Sequence, residues 1–153
     1  MEKIVVLDNI RSAHNVGSIF RTSDGAGVKK VYLCGYTPAP IDRFGREQPE
    51  IKKTSLGATN SVEWEASENV IDVLNRLRKE GVTIASVEQN SNSILYKDWN
   101  PKGTTAFIFG NEIDGVQPEV CEKSDVILEI PMHGEKESLN VGTSAGIILF
   151  HFV

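Results

Sequence analysis

Short apolar runs, several rich in β-branched residues, alternate with stretches of helical spacing, and several of the runs stop at a polar or glycine-bearing turn. This alternation restricts the fold more than any other feature of the sequence. Lys3–Leu7 (KIVVL) ends at Asp8, and Val31–Cys34, Val82–Val87, Thr104–Phe109 and Val126–Ile130 have the same character. These read as strands. Between them, His14–Gly27 places Val16, Ile19, Phe20 and Ala26 at helical spacing. Ser67–Glu80 carries the stripe Val70, Ile71, Leu74 and Leu77, with Ser67 as the expected N-cap and Gly81 as the stop. Pro118–Glu122 suggests a short helix, and Gly35–Gly57, with Pro38, Pro40 and Pro49, reads as one long polar loop. Strands alternating with helices predict an α/β fold with a mostly parallel sheet. The 153 residues suit one domain, 1–153.

The last segment, Ser144–Val153, is apolar almost all round, so a helix there needs cover on most sides. A second copy of the chain is the economical cover, which predicts a homodimer. No apolar run reaches the roughly 18 residues of a membrane span, and MEKIVVLD is not a secretory signal. Cys34 and Cys121 lie far apart and match no metal spacing, so they read as reduced thiols. The expectation is a cytoplasmic protein without a metal.

Charge is unevenly spread. The net charge is −5, but residues 1–62 balance to +3 and residues 63–153 to −8. Phosphate contacts need a local basic face rather than a basic average. Arg11, Arg43, Arg46, Lys52 and Lys53 are the candidates for such a face.

In parallel sheets, ligands sit beyond the C-terminal ends of the strands. Three polar clusters fall there. The first, Asn9–Gly27, contains Asn15, Gly17 and Arg21 at a strand-to-helix junction, where a glycine permits close backbone approach and a helix N-terminus favours anions. The second, Phe109–Gly115 (FGNEIDG), follows an apolar strand; Glu112 is either a turn's solvated charge or a buried acceptor, and the local pattern does not choose. The third, Ile130–Gly146, brings the neutral polar groups Ser138, Asn140, Thr143 and Ser144, while His133 reads as a surface residue. No Gly-Lys-Ser/Thr loop, Gly-x-Gly-x-x-Gly turn, Ser-His-Asp order or metal-ligand spacing is present.

Taken together, the clusters resemble the SpoU (TrmH-type) RNA 2′-O-ribose methyltransferases of the SPOUT superfamily. The resemblance rests on Asn15-x-Gly17-x-x-x-Arg21, then Phe109-Gly110-Asn111-Glu112 with Gly115, then Ile130-Pro131-Met132-x-Gly134 followed by Ser138-Leu139-Asn140-Val141. Lys53–Ala58 is also similar to a stretch in these enzymes. The likeness spans almost the whole chain. The Gly142–Gly146 segment departs from the Ser-Val-Ala-Ala of many relatives but keeps small side chains.

The resemblance implies a C-terminal deep trefoil knot and an S-adenosylmethionine pocket. That pocket would use Phe109, Gly110, Asn111, Ile130, Met132 and Leu139, with Val87 and Glu88 from the loop after the third strand. It implies Arg21 as the central catalytic group, with Asn15, Glu112, Ser138 and Asn140 positioning it and the ribose. Because a guanidinium stays protonated in proteins, its expected role is to orient the 2′-hydroxyl and stabilise developing negative charge. The implied substrate is RNA, transfer RNA before ribosomal RNA, gripped by the basic groups named above. The site is expected near the dimer interface, with an arginine of one subunit reaching the other's pocket. Two competing readings remain open: an RNA-binding or assembly protein of the same fold without methyl transfer, and an unrelated nucleotide-binding α/β enzyme.

Overall fold

The computed structural model describes residues 1–153, folded around one seven-stranded sheet. The strands are β1 Lys3–Asp8, β2 Val28–Cys34, β3 Glu63–Ser67, β4 Thr83–Val87, β5 Ile94–Leu95, β6 Thr105–Phe109 and β7 Val126–Glu129. Their order is β3-β2-β1-β6-β4-β7-β5, and every pairing is parallel. The helices are α1 Ala13–Gly25, α2 Pro49–Ser55, α3 Ala58–Ser61, α4 Val70–Lys79, α5 Pro118–Glu122 and α6 Val141–His151. The fold is the α/β arrangement expected from the alternation.

A parallel sheet must be covered on both faces. Alternate residues of β1 divide the core accordingly. Val5 and Leu7 join Phe107, Phe109, Val16, Ile19, Phe20, Ala145 and Ile148 on the α1 and α6 side. Ile4 and Val6 join Ile108, Val73, Leu74, Leu77 and Val120 on the α4 and α5 side. Cys34 belongs to this second layer, where burial, with Asp8 and Glu65 nearby, pushes its thiol up to about 12.

Three sequence expectations change. The 35–57 segment is not all loop: Pro49 opens α2, capped by the Gln48 side chain, and α3 follows directly. Ser67 does not cap α4; it is the last residue of β3, and the Asn69 side chain accepts the cap bond from the Ile71 N–H at 2.9 Å. β3 and β5 were not expected. They are the two edge strands, and their partly or fully exposed residues lack the apolar run that marks a buried strand. No helix is long and apolar enough to cross a membrane, and no group of three or more His, Cys, Asp or Glu side chains is arranged to hold a metal ion.

Strand order sets the position of the site. From β1 the chain moves to β2 and β3 on one side, while β6 sits against β1 on the other. β4 and β7 follow β6 on that side, so the loops leaving β4, β6 and β7 gather at one carboxyl edge of the sheet, where open α/β sheets hold ligands.

Candidate active site

Beyond the ends of β4, β6 and β7 lies a cavity of about 460 Å³, within the size range of small-molecule sites. Three loops build it. Val87, Glu88 and Gln89 follow β4; Phe109 to Gly115 follow β6; Ile130, Met132 and Ser138–Val141 follow β7. All eight residues expected at a cofactor pocket line it: Phe109, Gly110, Asn111, Ile130, Met132, Leu139, Val87 and Glu88. Gln89, Ile113, Asp114, Val141 and Ser144 line it too, none of them expected from the sequence as a cofactor contact.

The loop after β6 is held rigidly. Asn111 is buried, and its side-chain oxygen accepts the N–H groups of Ile113 and Asp114, both at 2.9 Å. Its amide donates to the Asn9 carbonyl at 2.9 Å and to the Tyr36 hydroxyl at 2.8 Å. Asn111 and Gly115 exchange backbone bonds at 3.1 and 2.9 Å, so the loop closes on itself. A Cβ on Gly110 would run into the Gly115 carbonyl, and one on Gly115 into the Glu88 carboxylate. Glu88 in turn accepts the Val116 N–H at 2.8 Å and its neighbour Gln89's N–H at 2.7 Å.

The three sequence clusters meet at the mouth of this cavity. Asn15, on the first turn of α1, donates from its amide to Glu112 Oε1 at 3.3 Å. Its side-chain oxygen accepts from the Asn140 amide at 3.2 Å. Asn140 also caps α6, accepting from Gly142 and Thr143 at 2.9 and 3.2 Å. Glu112 receives the backbone N–H groups of Arg11 at 3.0 Å and Ser12 at 3.1 Å. Partial burial pushes the Glu112 carboxyl up, but those N–H donors, its own backbone N–H and the Asn15 amide outweigh burial and hold it below its ordinary range. The anion expected at the start of α1 is thus the chain's own Glu112.

Two expectations about the first cluster need correction or placement. Gly17 does not leave room for a ligand: a Cβ there would be driven into the Thr54 hydroxyl of α2, and the Ile51 carbonyl stands at 3.0 Å. Arg21 is exposed on α1, makes no ion pair, and does not line the cavity of its own chain. Ser138 lines the cavity, exposed in the loop ahead of α6. Of the basic candidates, all exposed, Arg46 pairs with Asp42 at 2.8 Å and Lys52 with Glu47 at 3.0 Å, while Arg11, Arg43 and Lys53 have no carboxylate partner. Tyr36 and Gln117 were missed. Gln117 donates to the buried Asp8 carboxylate at 2.9 Å, and no local pattern marks either residue.

Known proteins place the chain. Residues 2–150 match the profile of the SpoU rRNA Methylase family. The 23S rRNA (guanosine-2′-O-)-methyltransferase RlmB of Xylella fastidiosa is 35% identical over 150 residues, covering 98% of this chain and 57% of that protein. Among solved structures, the A. aeolicus TrmH/SpoU tRNA modifying enzyme superposes with a TM-score of 0.84 at 29% identity, over 97% of this chain and 72% of its own. The AdoMet-bound rRNA methyltransferase from Sinorhizobium meliloti gives 0.88 at 27% identity, over 97% and 54%. The chain thus spans a little over half the length of the curated relatives it matches. With the motifs in order, the fold shared and the profile matched over nearly its full length, the chain belongs to the SpoU methylase family.

Proposed function

We propose that the chain, as a homodimer, catalyses methylation of a ribose 2′-hydroxyl of RNA using S-adenosylmethionine. One observation carries this reading: Asn15, Glu112 and Asn140, from three separate clusters, are joined in one hydrogen-bonded network at a cavity of cofactor size. The relatives' names and the AdoMet-bound neighbour support it.

The cavity residues fit the cofactor. Val87, Phe109, Ile130, Met132, Leu139 and Val141 give apolar walls for a ring system, and Gln89, Ser138 and Ser144 give neutral polar contacts. Asp114 lines the cavity without an ion pair and suits a cationic ligand. When bound, S-adenosylmethionine supplies an electrophilic methyl group.

The chain's own task is to place and polarise the hydroxyl. Arg21 orients the 2′-oxygen and stabilises the charge that develops on it, while an RNA phosphate accepts the proton. Its exposure, its lack of a carboxylate partner and its position outside its own cavity support service to a second copy's site. Asn15, Glu112, Ser138 and Asn140 fix the ribose side of the mouth. Arg11, Arg43, Arg46, Lys52 and Lys53 hold phosphates. The segment after β7 takes the trefoil-knotted path that the family resemblance implies.

The RNA class is open to direct assay. The A. aeolicus tRNA modifying enzyme supports transfer RNA, and the RlmB relatives support ribosomal RNA. Labelled S-adenosylmethionine is incubated with the protein and each RNA pool separately. The expected result is label in one pool; tight cofactor binding with label in neither would leave the fold assignment and remove the transferase reading.

A further inference from the structure

Between β2 and α2, residues 35–48 carry no regular element, yet their tip is tightly organised. The Asp42 carboxylate accepts the N–H groups of Phe44 at 2.9 Å and Arg46 at 3.0 Å, and the Arg46 Nε at 2.8 Å. Backbone bonds run from Asp42 to the Arg46 carbonyl at 2.9 Å and from Gln48 to the Pro40 carbonyl at 3.0 Å. Ile41 and Glu47 form an antiparallel bridge, and Gly45, at φ +79°, turns the chain.

This stapled tip holds a phenylalanine out into solvent. Phe44 is 68% exposed. The guanidinium carbons of Arg43 and Arg46 lie 4.9 and 5.1 Å from its ring centroid. A large apolar ring fixed in water gains nothing for this chain's own core, so its use lies with something that covers it. A ring that stays exposed with two guanidinium groups over it matches a nucleobase and, once those side chains turn to them, the phosphates on either side of that base. The arm is also rooted at the site. Tyr36, itself 60% exposed, accepts from the cavity residue Asn111 at 2.8 Å, and the Tyr36 N–H donates to Asn9 at 3.2 Å.

We propose that residues 36–48 form an RNA-gripping arm in which Phe44 stacks on an unpaired nucleobase while Arg43 and Arg46 engage the adjoining phosphates. This rests on the reading that the substrate is RNA. An unpaired base is required because inside a duplex each base face is covered by its stacked neighbours.

The test uses the full chain with two RNAs: a short hairpin carrying 2-aminopurine in its open loop, and a blunt duplex of similar mass. Wild type is expected to quench the 2-aminopurine on binding. Phe44→Leu is expected to lose that quenching and to bind the hairpin roughly 5- to 150-fold more weakly, the range of one lost stacking contact. Its dependence of affinity on salt should match wild type, and Phe44→Trp should restore both affinity and quenching. Arg43→Gln should instead lower the salt slope by about one. Binding of the duplex should not respond to Phe44→Leu.

The inference is overturned if Phe44→Leu binds and quenches like wild type, if it weakens hairpin and duplex equally, or if it changes the oligomeric state, which would make the ring part of a contact between copies. If wild type binds the hairpin and Phe44→Leu is indistinguishable, only the stacking arm falls. If wild type binds neither RNA, the RNA reading falls with it.

Discussion

Glu112 occupies the place at the start of α1 that a bound anion would otherwise take, and its side chain bridges the loops after β1 and β6. Because its folded carboxyl titrates below the ordinary value of 4.5, its contribution to stability is present above that value and is lost as pH falls through the lower one. Glu112→Gln is expected to cost about 1.5–3 kcal/mol at neutral pH, the worth of hydrogen bonds to a charged group. Denaturant unfolding across pH checks this: the gap between variant and wild type should narrow in acid. Asp8 has the opposite sign. It is buried, and burial raises its carboxyl above 3.8 against the opposing bond from Gln117. Its stabilising contribution is complete below 3.8 and is lost as pH rises through the raised value. Asp8→Asn is therefore expected to raise the melting temperature at neutral pH, with the gain shrinking as pH falls; a gain independent of pH would contradict the assignment.

Among the elements, α1 and α2 make the contact on which the first cluster depends. Gly17 is required where the Thr54 side chain presses on α1, and the Thr54 hydroxyl lies 3.2 Å from the His14 carbonyl. Gly17→Ala is expected to destabilise by about 1–3 kcal/mol through overpacking. Adding Thr54→Ala should recover part of that loss, read as a positive coupling in thermal melts of the two single variants and the double. The glycine was legible as a close approach, but the sequence alone suggested a ligand as the approaching partner. Interior strands and α4 were legible because burial writes apolar runs and stripes into them. β3, β5, α2 and α3 were not, because edge strands and short helices keep mixed sides. The Asn15–Glu112–Asn140 network spans separations of 97 and 125 residues, which no local pattern encodes. Only the order of the motifs pointed to it.

At the scale of the molecule, α6 buries Val141, Ala145, Ile148 and Leu149 but leaves Phe150 53% exposed, and Val153, just past its end, is 79% exposed. The aromatic ring of Phe150 lies over Gly25 of α1, so this surface continues onto the helix that carries Arg21. A second copy covering it would bring that arginine toward another chain's cavity. Sedimentation equilibrium is expected to report a dimer, and Phe150→Glu to shift it toward monomer with loss of methyl transfer but retained cofactor binding. A wild-type monomer with full activity would remove the shared-site arrangement.

The position of the transferred methyl group decides whether this chain is a ribose methyltransferase. RNA labelled by the wild-type protein and S-adenosylmethionine is digested to nucleosides and resolved by mass spectrometry, with Arg21→Ala and Arg21→Lys run beside it. Label is expected on the ribose of one nucleoside, absent with Arg21→Ala and strongly reduced with Arg21→Lys, because a point charge does not reproduce the planar fork. Label on a base, or undiminished ribose methylation by Arg21→Ala, would contradict it.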